Sequence, residues 1–391
     1  MNTAEFYRTL LKYNYSNCPL NLTVSKNAFL SAIKGMLLSI LFIGSQSYAD
    51  REGSSPVLGI SGEVLSFVEN IEYDNTLRTG ETILGASLRT RVVYRPEQRF
   101  RFSAGFFGRR NAGDSRFLSS SRALIGAAFF TGNFTFTLGE LQTPDNKEFT
   151  DILFKSDYRW NPGFFEGLEL SWRTRLLSQR TWIHWYALNT PSQREHFALG
   201  NYSSITYGVY SVRLSLIADH HGGQLYAPAG DPVRENIAGT AGLELNFPFE
   251  KIISGIKGMA QVAVSADRDR SLSSGFKNGY GFTGGAAVNT RIADISLNWF
   301  KGEQFKTALG NPLYGLSSPY YILEISKSFS NSLISADGGI RFEFIGSDLG
   351  EYLKNPQHRW WLSLSCSYYS FRQKLPEDQG TKKKSMPKPF S

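Results

Sequence analysis

The chain has 391 residues and a formal net charge of +8, and 41% of its residues are hydrophobic while only 19% are charged. A mean hydropathy of -0.26 excludes a bundle of transmembrane helices. The positive charge is dispersed along the chain, which excludes nucleic acid as a partner. Cys18 and Cys366 are its two cysteines, so we expect no disulfide framework, no metal site and no cofactor.

The N-terminal segment has the pattern of a secretory leader. The apolar run Met36–Gly44 follows Lys26 and Lys34, and Ser47–Ala49 offers small residues for cleavage. The run is too short to span a bilayer as a helix. A short buried helix or anchor is the alternative. We predict a signal peptide or extended leader over residues 1–49.

The rest of the chain has the two-residue period of β-strands. Residues 332–345 alternate between an apolar set and a set of charged and small residues, and the pattern recurs along most of the chain. It predicts sixteen strands, at 57–73, 82–95, 98–110, 120–131, 133–141, 167–177, 180–189, 197–207, 209–220, 236–249, 256–268, 279–291, 293–303, 319–329, 332–345 and 358–371.

The connections alternate between short turns and long polar loops, as in bacterial outer-membrane barrels. Counting Ile152–Trp160 as a strand would give seventeen and break this alternation, so we predict that segment as loop. Closure also removes the aggregation-prone edges that such an apolar face would leave on an open sheet. The predicted fold is all-β, a transmembrane antiparallel up-and-down β-barrel of about 16 strands, with 16–18 compatible with the pattern.

The predicted last strand ends on Tyr368, Tyr369 and Phe371. A terminal strand that finishes on an aromatic residue resembles the insertion signal of outer-membrane barrels, and residues 50–371 resemble barrels of the porin type in architecture. The resemblance assigns Phe371 as insertion signal and implies the bacterial outer membrane, contact with its lipid and lipopolysaccharide, the barrel-assembly machinery, small-molecule solutes and a homotrimer as partners. Residues 372–391, basic and proline-rich, are predicted to be a disordered periplasmic tail.

A barrel of about sixteen strands leaves an aqueous lumen, so its inward residues bear on function. The alternation turns charges of both signs inward. Paired across neighbouring strands they would neutralise one another; as a basic wall opposite an acidic wall they would resemble the constriction of general porins. The predicted basic set is Arg89, Arg91, Arg99, Arg101, Arg173, Arg175 and Arg213, and the predicted acidic set is Glu244, Asp294, Glu324, Asp337 and Glu343.

These patterns favour a porin-like channel for small hydrophilic solutes or anions. The longest loop, residues 142–166, matches the lumen loop of general porins in rank and length, and a surface loop is the alternative. An export conduit for a polysaccharide is a second hypothesis, for which the inward row Trp182, His184 and Tyr186 would stack on sugars.

An outer-membrane hydrolase is the third hypothesis. Asp219 and His221 share one face of a strand, as do Asp267 and Asp269, and such pairs could position a water for hydrolysis. This resembles the arrangement in omptin proteases, but the spacing is short enough to arise by chance. The expectation is that the protein is not an enzyme.

Overall fold

A computed structural model describes residues 57–74, 79–145, 148–156, 164–223, 225–226, 231–250, 252–272, 275–346 and 357–374. The predicted leader lies outside these ranges, and so does the predicted tail beyond residue 374. Among the described residues, no helix is long and apolar enough to cross a membrane.

The described residues form a closed antiparallel barrel of sixteen strands, in which each strand pairs with its neighbours in sequence and β1 pairs with β16. The all-β, sixteen-strand prediction is confirmed. The strands are β1 Val57–Asp74, β2 Thr79–Arg95, β3 Phe100–Asn111, β4 Ser120–Thr131, β5 Phe134–Leu141, β6 Phe165–Arg173, β7 Leu177–Ala187, β8 Glu195–Tyr207, β9 Tyr210–Gly222, β10 Arg234–Pro248, β11 Ile253–Asp269, β12 Lys277–Thr290, β13 Asp294–Glu303, β14 Tyr320–Ser330, β15 Ile334–Ile345 and β16 Gln357–Lys374.

The outer wall of the barrel is apolar. On β9, Val212 and Leu214 are 53% and 51% exposed, whereas the alternate residue Ser215 turns inward and is buried. The same alternation gives the other strands an exposed apolar outer face. An apolar outer face on a closed barrel, which has no unpaired backbone edges, is suited to contact with lipid. The protein is therefore a bacterial outer-membrane β-barrel in contact with lipid.

Several predicted strand ends differ from the structure, and two of these differences remove a predicted lumen arginine from a strand. Arg99 lies in the turn before β3, where the Phe100 amide donates to the Glu97 carbonyl, and its side chain is exposed. Arg175 lies in the exposed turn after β6, because the Thr174 hydroxyl accepts hydrogen bonds from two following amides and closes the turn there. β16 continues past Phe371 to Lys374, and the Phe371 side chain lies outside the described residues.

A pair of glycines shapes the wall where the longest loop leaves the barrel. Gly139 on β5 faces Gly167 on β6, and both have positive φ, +92° and +152°. A Cβ at Gly139 would lie 2.1 Å from the carbonyl oxygen of Ile125, and one at Gly167 would lie 1.9 Å from that of Ile183. Only glycine allows this close backbone approach.

Candidate functional site

The described part of the loop between β5 and β6, residues 142–164 (loop 3), reaches across the lumen. On one side the Ser215 hydroxyl of β9 donates to the Glu148 carbonyl at 2.9 Å. On the other side Arg359 of β16 donates to the Ser156 hydroxyl at 2.5 Å. β9 and β16 lie almost opposite one another in the ring. The question that the sequence left open, whether this loop enters the lumen, is answered for its described part.

The loop between β13 and β14, residues 304–319 (loop 7), also lies in the lumen and contacts loop 3. Asn236 on β10 accepts from the Ala308 amide at 2.9 Å, and the Ser265 hydroxyl on β11 accepts from the Lys306 amide at 3.0 Å. The Lys155 amide of loop 3 donates to the Leu309 carbonyl at 2.9 Å. We call the described parts of loops 3 and 7 together the plug.

The plug has its own hydrophobic core, which merges with inward residues of the wall. Phe149 and Leu153 of loop 3 and Leu313 of loop 7 have no exposed surface. The Phe149 ring lies 5.8 Å from that of Trp182, edge to face. Trp182 was predicted to face inward as part of a sugar path; its ring is instead buried under the plug at 1% exposure. Burying this apolar surface stabilises the closed arrangement.

Asp151 ties the plug to the barrel wall. Its carboxylate accepts from the Ser156 amide at 3.0 Å, from Asn311 Nδ2 at 3.1 Å and from Arg341 Nη1 at 3.1 Å. Arg341 also pairs with Glu324 at 2.8 Å. Burial opposes ionisation of Asp151, but the Arg341 guanidinium and these hydrogen bonds hold its pKa below the ordinary value of 3.8.

Glu148 ties loop 3 to the opposite wall of the barrel, at β7. Its carboxylate meets the guanidinium of Arg180, which is 4% exposed and also pairs with Glu169 at 2.8 Å. Burial raises the pKa of Glu148 above the ordinary 4.5, and Arg180 opposes that rise. The pKa values of these two anchoring carboxylates are thus shifted in opposite directions.

Five of the seven arginines predicted to line the lumen lie on strands. Arg91 donates to Glu140 at 2.6 Å, and Arg89 lies 3.5 Å from the same carboxylate. The other three are Arg213, paired with Glu244 at 2.8 Å, and Arg101 and Arg173, which line a cavity near the periplasmic end.

The predicted acidic residues are also paired locally. Asp294 lies 3.4 Å from Lys327, and Asp337 accepts from Trp361 Nε1 at 2.7 Å. Glu343 is buried, and its carboxylate lies 3.8 Å from the guanidinium of Arg341, which also pairs with Glu324. Opposite charges therefore meet inside the lumen, mostly on neighbouring strands and, for Arg89 and Arg91 with Glu140, from β2 to β5. Local pairing of this kind is the alternative to two opposed charged walls.

The sequence missed the histidine that joins the predicted catalytic candidates. The Asp219 carboxylate lies 2.8 Å from Nε2 of His196 and accepts from it when that nitrogen carries the proton, rather than pairing with His221. His221 instead lies 3.5 Å from Asp231. The rings of His196 and His221 are 5.5 Å apart because β8 and β9 pair these two residues directly. The strand register was the signal that could have found His196.

These histidines and aspartates contact an aromatic ring on one side and lie near two loops that a polar side chain joins. The Tyr186 ring stacks on the His196 ring at 4.5 Å. Arg194, on the loop after β7, donates to the Gly223 carbonyl at 2.9 Å and to the Asp231 carbonyl at 2.5 Å, which ties that loop to the loop after β9. We call His196, Asp219, His221 and Asp231 with Tyr186 the histidine cluster.

The second predicted aspartate pair serves another purpose. Asp267 accepts from Lys306 Nζ at 3.1 Å and from Asn236 at 3.3 Å, so it helps to hold loop 7. Asp269 caps the end of β11 through Ser271 and lies 3.5 Å from Arg234. Neither carboxylate belongs to the histidine cluster. The described residues hold no group of three His, Cys, Asp or Glu residues arranged for a metal ion.

The remaining histidines differ in surroundings. His184 is 1% exposed, and its Nδ1 contacts the backbone of Glu166 at 3.0 Å. His220 and His358 alternate with inward residues, so they lie on the outer wall near the extracellular end. His358 pairs across strands with Glu72, whose carboxylate accepts from Asn70 at 3.0 Å.

Solved structures of outer-membrane barrels are similar to the chain. The chain is similar to an anion-selective porin from Comamonas acidovorans, at 13% identity and a TM-score of 0.49, over 81% of this chain and 100% of that chain. It is similar to a loop-deletion variant of OmpT, an outer membrane protein of Vibrio cholerae, at 6% identity and a TM-score of 0.50, over 81% and 100%. A porin variant from Rh. blastica has 10% identity and a TM-score of 0.44, over 80% and 100%. No curated protein matches the chain.

A family model matches most of the chain. The model described as lipid A 3'-O-deacylase-type matches residues 50–334, nearly three quarters of the chain. Because this family is named for an enzyme activity, the expectation that the protein is not an enzyme is wrong. Periodicity and composition specify a barrel but say nothing of the chemistry at its rim, so they could not reveal this. The chain belongs to the lipid A 3'-O-deacylase-type family.

Proposed function

We propose that this protein is an outer-membrane esterase that hydrolyses an acyl ester of lipid A, with His196 as general base and Asp219 as its orienting carboxylate. The observation that carries the proposal is the 2.8 Å contact between His196 Nε2 and Asp219 at the extracellular end of the barrel. A carboxylate that fixes the ring and the tautomer of a histidine is the arrangement on which base catalysis of acyl transfer depends.

The surroundings of His196 suit this role. Its side chain is 30% exposed, and Nδ1 has no hydrogen-bond partner among the described residues. That nitrogen can take a proton from a water, which then attacks the acyl carbonyl carbon. The protonated ring returns the proton to the sugar oxygen as the ester bond breaks, leaving a fatty acid and the deacylated glycolipid. His221, next to His196 and paired with Asp231, is placed to stabilise the developing oxyanion.

The position in the barrel suits a lipid substrate. His196 is the second residue of β8 and Asp219 is near the end of β9, so both lie close to the extracellular rim. Lipid A forms the outer leaflet at that height. The plug supports the same view, because the described part of loop 3 reaches across the lumen from β9 to β16, and the histidine cluster lies on its extracellular side. We therefore do not propose solute passage or polymer export for this barrel.

The test is release of fatty acid from lipid A by purified protein, measured by mass spectrometry. His196→Gln and Asp219→Asn should each lower the rate, His196→Gln by roughly 10²–10⁴-fold, the range for a positioned base. His358→Gln is the matched control, since it removes a histidine from the outer wall. Full activity of His196→Gln, or no release by the wild-type protein, would refute the proposal. Loss in His358→Gln instead would place the chemistry on the lipid-facing wall.

A further inference from the structure

A cavity lies below the plug, at the opposite end of the barrel from the histidine cluster. Its volume is 490 Å³, far above the roughly 10–15 Å³ that holds one water. Inward residues of β3 to β6 form its walls, the turn at Gly132 and Asn133 lies at its periplasmic end, and Gln142 at the start of loop 3 lies at its upper end. The lining is polar, with Phe130 as its aromatic member.

The carboxylates in this lining are already engaged. Glu140 accepts from Arg91 at 2.6 Å and lies 3.5 Å from Arg89. Glu169 accepts from Arg180 at 2.8 Å and from Ser171 at 2.8 Å. The partners Arg89, Arg91 and Arg180 all lie outside the cavity lining.

The two arginines of the lining have no such partner. Among the described residues, no carboxylate lies within ion-pair distance of Arg101 or Arg173. The Arg101 guanidinium lies over the Phe130 ring at 5.4 Å, which orients it without neutralising it. Two cations of fixed charge thus face a shared water-filled space, and hydroxyl and amide groups of Thr135 and Asn133 lie between their strands.

We propose that this cavity is a binding site for a small phosphorylated solute on the periplasmic side, with Arg101 and Arg173 as its oxyanion ligands. The planar guanidinium group presents paired N–H donors that match the oxygens of a phosphate. Neighbouring Thr135 and Asn133 supply further donors to the same group. The room beyond the two arginines accommodates the non-phosphate part of such a solute. The proposal is independent of the esterase, whose cluster lies at the other end of the barrel.

Calorimetric titration of the full-length protein in detergent tests the site, with glycerol 3-phosphate, inorganic phosphate, acetate and glycerol as probes. Both phosphates should bind, more weakly at high salt, and glycerol should not. The double variant Arg101→Gln, Arg173→Gln should lose roughly 10- to 100-fold in affinity. Arg175→Gln, two residues further on and outside the lining, should bind as the wild type does.

Three results with the phosphate probes would overturn the proposal. They are no binding of either phosphate to the wild-type protein, equal binding by the double variant, and equal loss in Arg175→Gln. Acetate binding as tight as phosphate binding would also overturn it, since it would assign a general anion site. Faster migration of unheated than of heated protein on gels confirms that each variant is folded, so a negative result cannot come from misfolding.

Discussion

Removing the Asp151 carboxylate should let the plug open. In the wild-type protein the Asp151 carboxylate accepts from the Ser156 amide, Asn311 and Arg341 at 3.0–3.1 Å. Asp151→Ala removes this acceptor from all three donors. Breaking a buried ion pair costs about 3–5 kcal/mol. We expect the lower end, about 3 kcal/mol, because Arg341 keeps Glu324 at 2.8 Å and is not left unpaired. The open fraction should therefore rise roughly 150-fold.

The assay is current across a planar bilayer that contains single barrels. Wild-type protein should pass little current, because the plug spans the lumen, and Asp151→Ala should show frequent openings. Asp114→Asn is the matched control: this loop aspartate pairs with Arg116, which is 69% exposed, so its loss should leave the current unchanged. Equal opening rates in Asp151→Ala and wild type would refute the role assigned to this carboxylate. A high wild-type current would refute the closed plug itself.

Three further expectations follow from the same contacts. The pKa of Glu148 is raised, so protonation of Glu148 stabilises the closed plug at low pH, and this stabilisation is lost as the pH rises through the raised pKa. The pKa of Asp151 is lowered, so the ionised Asp151 stabilises the closed plug at neutral pH, and this stabilisation is lost as the pH falls below 3.8. Wild-type openings should therefore become rarer as the pH falls towards 4.5 and more frequent again below 3.8, with the second change absent in Asp151→Ala. Phe149→Ala should destabilise the plug by about 3–5 kcal/mol and raise the current, whereas Phe117→Ala, 89% exposed, should not. The unheated wild-type barrel should migrate faster on gels than the heated chain, and equal mobility would contradict the closed barrel.

The two-residue period of the chain determined the barrel. On β9, for example, Val212 faces the lipid and Ser215 faces the interior in every register that keeps the apolar face outside. The number of strands and the polarity of the two faces of the wall therefore follow from the local sequence pattern. The two-residue period predicted the residues at which strands end less well. The turn that excludes Arg175 from β6 depends on the Thr174 hydroxyl, a contact that periodicity does not report.

Tertiary structure alone decided what fills the barrel and which side chains meet at its rim. Loop 3 looks polar in sequence, yet Phe149 and Leu153 bury completely once the closed wall and loop 7 surround them. Asp151 reaches Arg341 across 190 residues, and His196 reaches Asp219 only because β8 and β9 pair in one register. Such contacts arise from ring closure and strand register, which bring together segments far apart in the chain. A sequence specifies the faces of its strands locally, but the fold decides which inward side chains become neighbours.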